Sequence, residues 1–167
     1  MKKLLLCTVL AGSLISCQAP AEKGSDHSHG PTVIGYEFSD AGEKQNLIAG
    51  DIAIIDTYME FIQAHNDRDF DKIAAMNAPD FKGVAAHGEV IRGSEAHSAF
   101  LKTWIETQQT TWKVWWAIAN DGENEDGEME EWLATGTLVT TTNPDGATVT
   151  AYETIDVLLE NGKVRLL

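Results

Sequence analysis

From about Gln45 to Asn66, apolar residues recur at the spacing of a helix. Ile48, Ile52, Ile55, Met59 and Ile62 form one stripe, and Ile54, Tyr58, Phe61 and His65 form an adjoining one. An apolar face this wide predicts a helix largely enclosed by other elements. Asn66-Asp67-Arg68 interrupts it, and Asp69 is placed to cap a second, short helix carrying Phe70, Ile73, Ala74 and Met76. Pro79, which lacks an amide proton, stops that helix. Phe81 to Arg92 reads as two short strands around His87-Gly88. Gly93-Ser94 then opens a third helix, with Ser94 as N-cap and Glu95 in the first turn, where the helix dipole favours a negative charge. Its stripe is His97, Phe100, Leu101, Trp104 and Gln108. Two polar members on a face turned to core single that helix out.

After the third helix the period changes from 3.6 to 2, the mark of strands. Thr111 to Ala119 alternates Trp112, Val114, Trp116 and Ile118 against Lys113, Trp115, Ala117 and Ala119. Both sets are apolar, so neither face is expected to be fully solvated, and the pattern leaves open which one points inward. Trp132 to Thr142 and Thr148 to Leu159 follow, joined by Asn143-Pro144-Asp145-Gly146. Asn161-Gly162 turns into a short final strand, Lys163 to Leu167.

The amino-terminal pattern is of another kind. Met1-Lys2-Lys3 is a basic start, and Leu4 to Ile15 is an apolar run too short to span hydrocarbon comfortably. It ends in Leu14-Ile15-Ser16-Cys17, which resembles the bacterial lipobox. A small residue at Ser16 lets a signal peptidase approach the backbone, and the Cys17 thiol is the nucleophile that accepts diacylglycerol. An ordinary secretory signal needs no cysteine there. Residues 1–16 are therefore expected to be a lipoprotein signal peptide, and 17–44 the lipidated cysteine with a flexible tether rich in Gly, Pro and Ser. Within the tether, Val33, Ile34, Tyr36 and Phe38 are apolar enough to pack as an arm on the domain at 45–167. Gln18 after the cysteine, rather than Asp, favours the outer membrane under the enterobacterial sorting rule. The other cysteine, Cys7, leaves with the signal, so no disulfide is expected and the domain is held by packing.

Composition narrows the partners. A hydrophobic share of 43% with five Trp supports a core. The formal charge of -14 becomes -16 once Lys2 and Lys3 are removed, which repels phosphate backbones and excludes nucleic acid as a partner. No cofactor or metal is expected. Asp26-His27-Ser28-His29 lacks the four-ligand spacing of a zinc site. Asp121 to Glu128 would need Gly at position 126 and Glu at 132 to be an EF-hand loop, and has Asp126 and Trp132 instead. It reads as a solvated hairpin tip.

The order helix, short helix, strand pair, helix, strand meander resembles the SnoaL-like branch of the nuclear transport factor 2-like superfamily. The likeness rests on the long first helix with Tyr58 and Phe61, and on residues 64 to 81. It rests also on Ile91-Arg92-Gly93 before a helix with Phe100 and Leu101, and on Asn161-Gly162-Lys163-Val164. It covers about 46 to 167 and implies an α+β, cone-shaped roll, with a curved antiparallel sheet wrapped around three helices and a cavity at the open end. Tyr58, Phe61, His97, Trp104 and Trp116 are the expected lining. The family's ketosteroid isomerases use a strand carboxylate and a first-helix tyrosine. Alignment places these roles on Val84 and Phe61, so neither carries over. His87 and His97 are the candidate acid–base groups for a cyclase-type reaction, because histidine titrates near neutrality. Three functions follow as alternatives: binding of a small apolar or amphipathic molecule without catalysis, a SnoaL-like enzyme using a pocket histidine, or a module dimerising through an outer sheet face with Trp115 and Lys113. The lipid anchor has its own test. Cys17→Ser is expected to abolish labelling by a fatty-acid analogue and to release the protein from the membrane fraction; a variant that still takes the label refutes the assignment.

Overall fold

The computed structural model describes residues 30–85 and 88–167. Cys17, the Asp26-to-His29 run and His87 lie outside them.

Gly50-Asp51 decides where the first helix begins. A Cβ at Gly50 would stand 2.8 Å from the Asp121 carboxylate and 2.9 Å from the Asn120 amide nitrogen, so the chain here passes backbone to backbone against a strand. Asp51 then accepts a hydrogen bond from the Ala53 amide at 2.9 Å and starts the helix. The helix expected from Gln45 is therefore shorter: α1 spans Ala53–Asp67. Before it, Val33–Phe38 (β1) and Lys44–Ala49 (β2) form an antiparallel hairpin, where the composition had suggested spacer and helix. The apolar arm adds to the sheet edge and leaves its side chains largely exposed.

Asp69 caps α2 (Phe70–Met76) as expected, accepting from the Lys72 amide at 3.0 Å. That helix ends ahead of Pro79, which lies inside β3 (Asn77–Val84). β4 (Val90–Arg92) pairs with β3. α3 (Ser94–Thr107) is capped by the backbone of Gly93 at φ 84° and not by Ser94, whose hydroxyl donates to the Ala74 carbonyl instead. β5 (Gln109–Glu123), β6 (Met129–Thr142), β7 (Thr148–Glu160) and β8 (Lys163–Leu166) complete the sheet. The acidic loop shrinks to its tip because β5 runs on to Glu123.

The eight described strands lie in the order β1-β2-β5-β6-β7-β8-β3-β4. Neighbours are antiparallel except β3 and β8, which run parallel, so the sheet is mixed rather than wholly antiparallel. One face of the sheet packs on the helices. Ile54, Tyr58, Phe61 and Ile62 of α1 join Ile73, Phe81 and Leu101, and meet Leu133, Val157, Leu159 and Val164 from the sheet. Full burial of such side chains contributes about 1.5–3 kcal/mol each.

Two polar side chains tie the end of α1 to β5. Asn66 donates its amide to the Trp112 carbonyl and accepts from the Trp112 amide, both at 2.9 Å, as a neighbouring strand would. Arg68, in the left-handed region at φ 61°, ends the helix and donates to the Thr110 carbonyl at 2.6 Å. Asn66→Ala leaves a partly buried strand amide and carbonyl unpaired. It is expected to lower the free energy of unfolding by about 1–3 kcal/mol in urea titrations.

Candidate functional site

Helices α1 and α3 and the inner face of β5, β6 and β7 enclose a cavity of about 880 Å³. α1 supplies Tyr58, Phe61 and His65, at steps of three and four that put them on one side of the helix. α3 supplies His97, Leu101 and Trp104 in the same manner. Trp112, Val139 and Ile155 form the sheet wall, and Val84, Ala85 and Glu89 line the cavity as well.

The deep end is polar, and its hydrogen bonds define the protons. His97 is buried against Phe81, ring on ring at 4.5 Å. Its Nδ1 lies 3.1 Å from the Asn77 amide nitrogen, which donates. Nδ1 is then the acceptor, and Nε2 carries the proton. In His65 the order is reversed. Its Nδ1 stands 2.8 Å from the Phe61 carbonyl, which only accepts, so Nδ1 carries the proton and Nε2 has a free lone pair. The two rings are 5.4 Å apart. One offers a donor and the other an acceptor. The Asn77 side-chain oxygen is buried and has no partner within the protein.

Burial keeps this end uncharged. It pushes His65 down to about 4, an effect partly offset by the Phe61 carbonyl and reinforced by Arg68. It pushes His97 down to about 3, with His65 adding to the shift. The Tyr58 phenol is pushed up to about 12 by burial, against a smaller opposing effect of its hydrogen bond to Thr135. At neutral pH all three are neutral. A neutral imidazole so reluctant to take a proton is a good hydrogen-bonding group and a poor general base.

Of the expected lining residues, Tyr58, Phe61, His97 and Trp104 come together in the cavity. Trp116 does not. The β5–β6 register pairs Val114 with Thr137 and Trp116 with Gly136, which leaves Trp115 as a bulge. The bulge resets the alternation. Trp112 and Val114 face inward, then Ala117 and Ala119 do, while Trp115 and Trp116 both stay exposed on the outer face. There the Trp116 indole lies over Gly136, where any Cβ would collide with it. Sequence reasoning passed over two site residues. His65 stood on the same stripe as Tyr58 and Phe61 and was legible. Asn77 carries no periodic signal, because its role depends on the distant α3. Among the described residues no three His, Cys, Asp or Glu side chains group as metal ligands.

Neutral burial of two histidines has a pH signature. The unfolded chain protonates both near 6.5, and the folded chain resists until about 4 and about 3. Stability is thus complete above pH 6.5 and falls as the pH drops toward 4, by up to about 1.4 kcal/mol per unit for each histidine. Denaturant titrations from pH 7 to 5 are expected to show this loss. The His65→Gln/His97→Gln variant should flatten it; an unchanged slope would show that these rings are not held neutral.

The sequence matches no family model, and no curated protein matches it. Solved structures do. An NTF2-like protein of unknown function from Burkholderia pseudomallei superposes with a TM-score of 0.55 at 19% identity, over 68% of this chain and 86% of that one. An LEH-like epoxide hydrolase of M. tuberculosis gives 0.54 at 17% identity, over 68% and 77%. A proposed polyketide cyclase of Xanthomonas campestris gives 0.53 at 15%, over 68% and 85%. Likeness at these identities concerns the fold, and the fold of this chain is that of the nuclear transport factor 2-like proteins.

Proposed function

We propose that the protein is a lipoprotein of the bacterial cell envelope, anchored through Cys17 and more favourably in the outer than the inner membrane. Its cone-shaped cavity binds a small apolar or amphipathic molecule without transforming it. The observation that carries this reading is the cavity itself. Its volume of about 880 Å³ falls in the range of small-molecule pockets, about 300–1,000 Å³. Its walls are largely aromatic and aliphatic. Its deep end combines the His97 donor and the His65 acceptor, while the nearby Arg68 guanidinium is engaged by the His65 and Thr110 carbonyls. A ligand with an apolar body and one uncharged polar group, such as a hydroxyl or carbonyl, matches this arrangement. An ionised head would lose hydration there, and the one guanidinium near it, Arg68, is already engaged by two backbone carbonyls.

Two other readings have support. The epoxide hydrolase and the proposed polyketide cyclase share the fold, which favours an enzyme of cyclase or isomerase type. The fold does not specify chemistry, and His97 is too weak a base at neutral pH to abstract a proton well. Exposed Trp115, Trp116 and Tyr152 on the outer sheet face favour a homodimer instead.

The cavity reading is tested by blocking it. Ala151 lies on the β7 side of the cavity, where a larger side chain projects into the space. The wild-type protein is expected to bind the neutral apolar dye Nile red saturably, and native mass spectrometry of purified protein to reveal any retained molecule. Ala151→Trp should weaken dye binding at least tenfold with little change in melting temperature. Equal binding by wild type and variant would place the dye elsewhere and remove the main support.

A further inference from the structure

The β1–β2 hairpin has two unlike faces. Its register sets Val33 opposite Ile48, Tyr36 opposite Asn46 and Phe38 opposite Lys44, so these six share one face. Glu37 and Leu47 belong to the other face and lie over Gly122 of β5. The first face is bare. Val33, Tyr36 and Phe38 are 55%, 56% and 64% exposed, and Ile34 at the adjoining bulge is exposed as well. Tyr36 and Phe38 meet edge to face at 5.7 Å, and the Lys44 ammonium stands 4.0 Å over the Tyr36 ring. This face of the hairpin carries a cation and no carboxylate, on a chain with a net charge of -14. On the same side of β5 stand Asp121, paired with Ile48, and Glu123 two residues on, and the turn between β1 and β2 carries Asp40 and Glu43.

The hairpin is also the part of the sheet next to the anchor in sequence. Val33 lies sixteen positions after Cys17, with fifteen residues between them. A fully extended chain of this length reaches at most about 55 Å. We propose that the Val33–Tyr36–Phe38 face of this hairpin docks on the headgroup region of a zwitterionic lipid bilayer, an inference that rests on the lipid anchor at Cys17.

Amphipathic aromatic rings and a lysine that extends its charge toward phosphate are the side chains that favour this depth. The acidic body of the protein disfavours anionic lipid. The acyl chains supply the affinity, since so small a face would bind weakly alone, and the hairpin supplies orientation. A second copy fits the face less well, because six residues fall far short of the roughly 20–30 per side of a stable interface. Docking has a consequence for the site. Asp121 beside the hairpin and Trp112 in the cavity wall are nine residues apart on β5, about 30 Å along the strand. The hairpin end rests on lipid, and the cavity is held off it.

The test uses the full acylated chain in phosphatidylcholine vesicles that contain a spin-labelled quencher near the headgroups. A fluorophore is placed on Asn46→Cys, on the docking face, or on Glu37→Cys, on the opposite face. Quenching at 46 is expected to exceed that at 37 at least threefold, and Tyr36→Ser/Phe38→Ser should erase the difference. Fatty-acid labelling is followed in every sample. Equal quenching at the two positions in labelled protein overturns docking and leaves the anchor standing. Loss of the fatty-acid label overturns the anchor and docking together. A label at 46 that is shielded from water yet not quenched by lipid also overturns docking, in favour of a second copy.

Discussion

A helix laid on a twisted sheet can slide and rotate, and apolar contacts alone resist this weakly because they have no direction. In this protein the amide of Asn66 removes that freedom. It pairs with both backbone groups of Trp112 in the manner of a strand, and Arg68 holds the Thr110 carbonyl two residues before it. The end of α1 is thereby fixed in register with the first residues of β5. The cavity depends on this constraint, because Tyr58, Phe61 and His65 reach it from α1 while Trp112 reaches it from β5. A helix shifted by one turn would move each side chain by about 5.4 Å and fill the space it now borders.

The chemistry of the site follows from the same packing. The cavity's deep end lies among rings: Phe81 on His97, Phe61 against His65, Trp112 beside both His65 and Trp104. Rings exclude water, and without water a charge is costly. Each histidine is therefore neutral, and each has one nitrogen engaged by a fixed partner, which leaves opposite hydrogen-bonding characters to the remaining two. A protein that is strongly acidic in composition thus holds two neutral histidines at the deep end of its cavity.

Most of the element order was legible, because period and punctuation are local properties. The short helix capped by Asp69 and the strand pair before α3 are both present. So are the three long strands and the final Lys163–Leu166 strand. The helical pattern overshoots α1 because Ile48 and Ile52 happen to continue its stripe across Gly50-Asp51. That glycine was the available clue, and its meaning depended on the close approach of β5. Ser94 is a good capping residue that caps nothing here, since Gly93 takes the position and frees the hydroxyl for Ala74.

By itself, the sequence determined the helices and strands, the stripe that brings Tyr58, Phe61 and His65 to one side, and the polar members of the α3 face. Each of these depends on bonds and contacts within a few residues, and so leaves a periodic trace. Only the tertiary structure decided that Trp116 points outward, that Asn77 meets His97 from twenty residues away, and that residues 33–49 form a bare hairpin. A bulge is a property of two paired strands, a buried hydrogen bond belongs to two distant segments, and exposure depends on everything packed around a residue. None of these is written in the pattern of one stretch of chain.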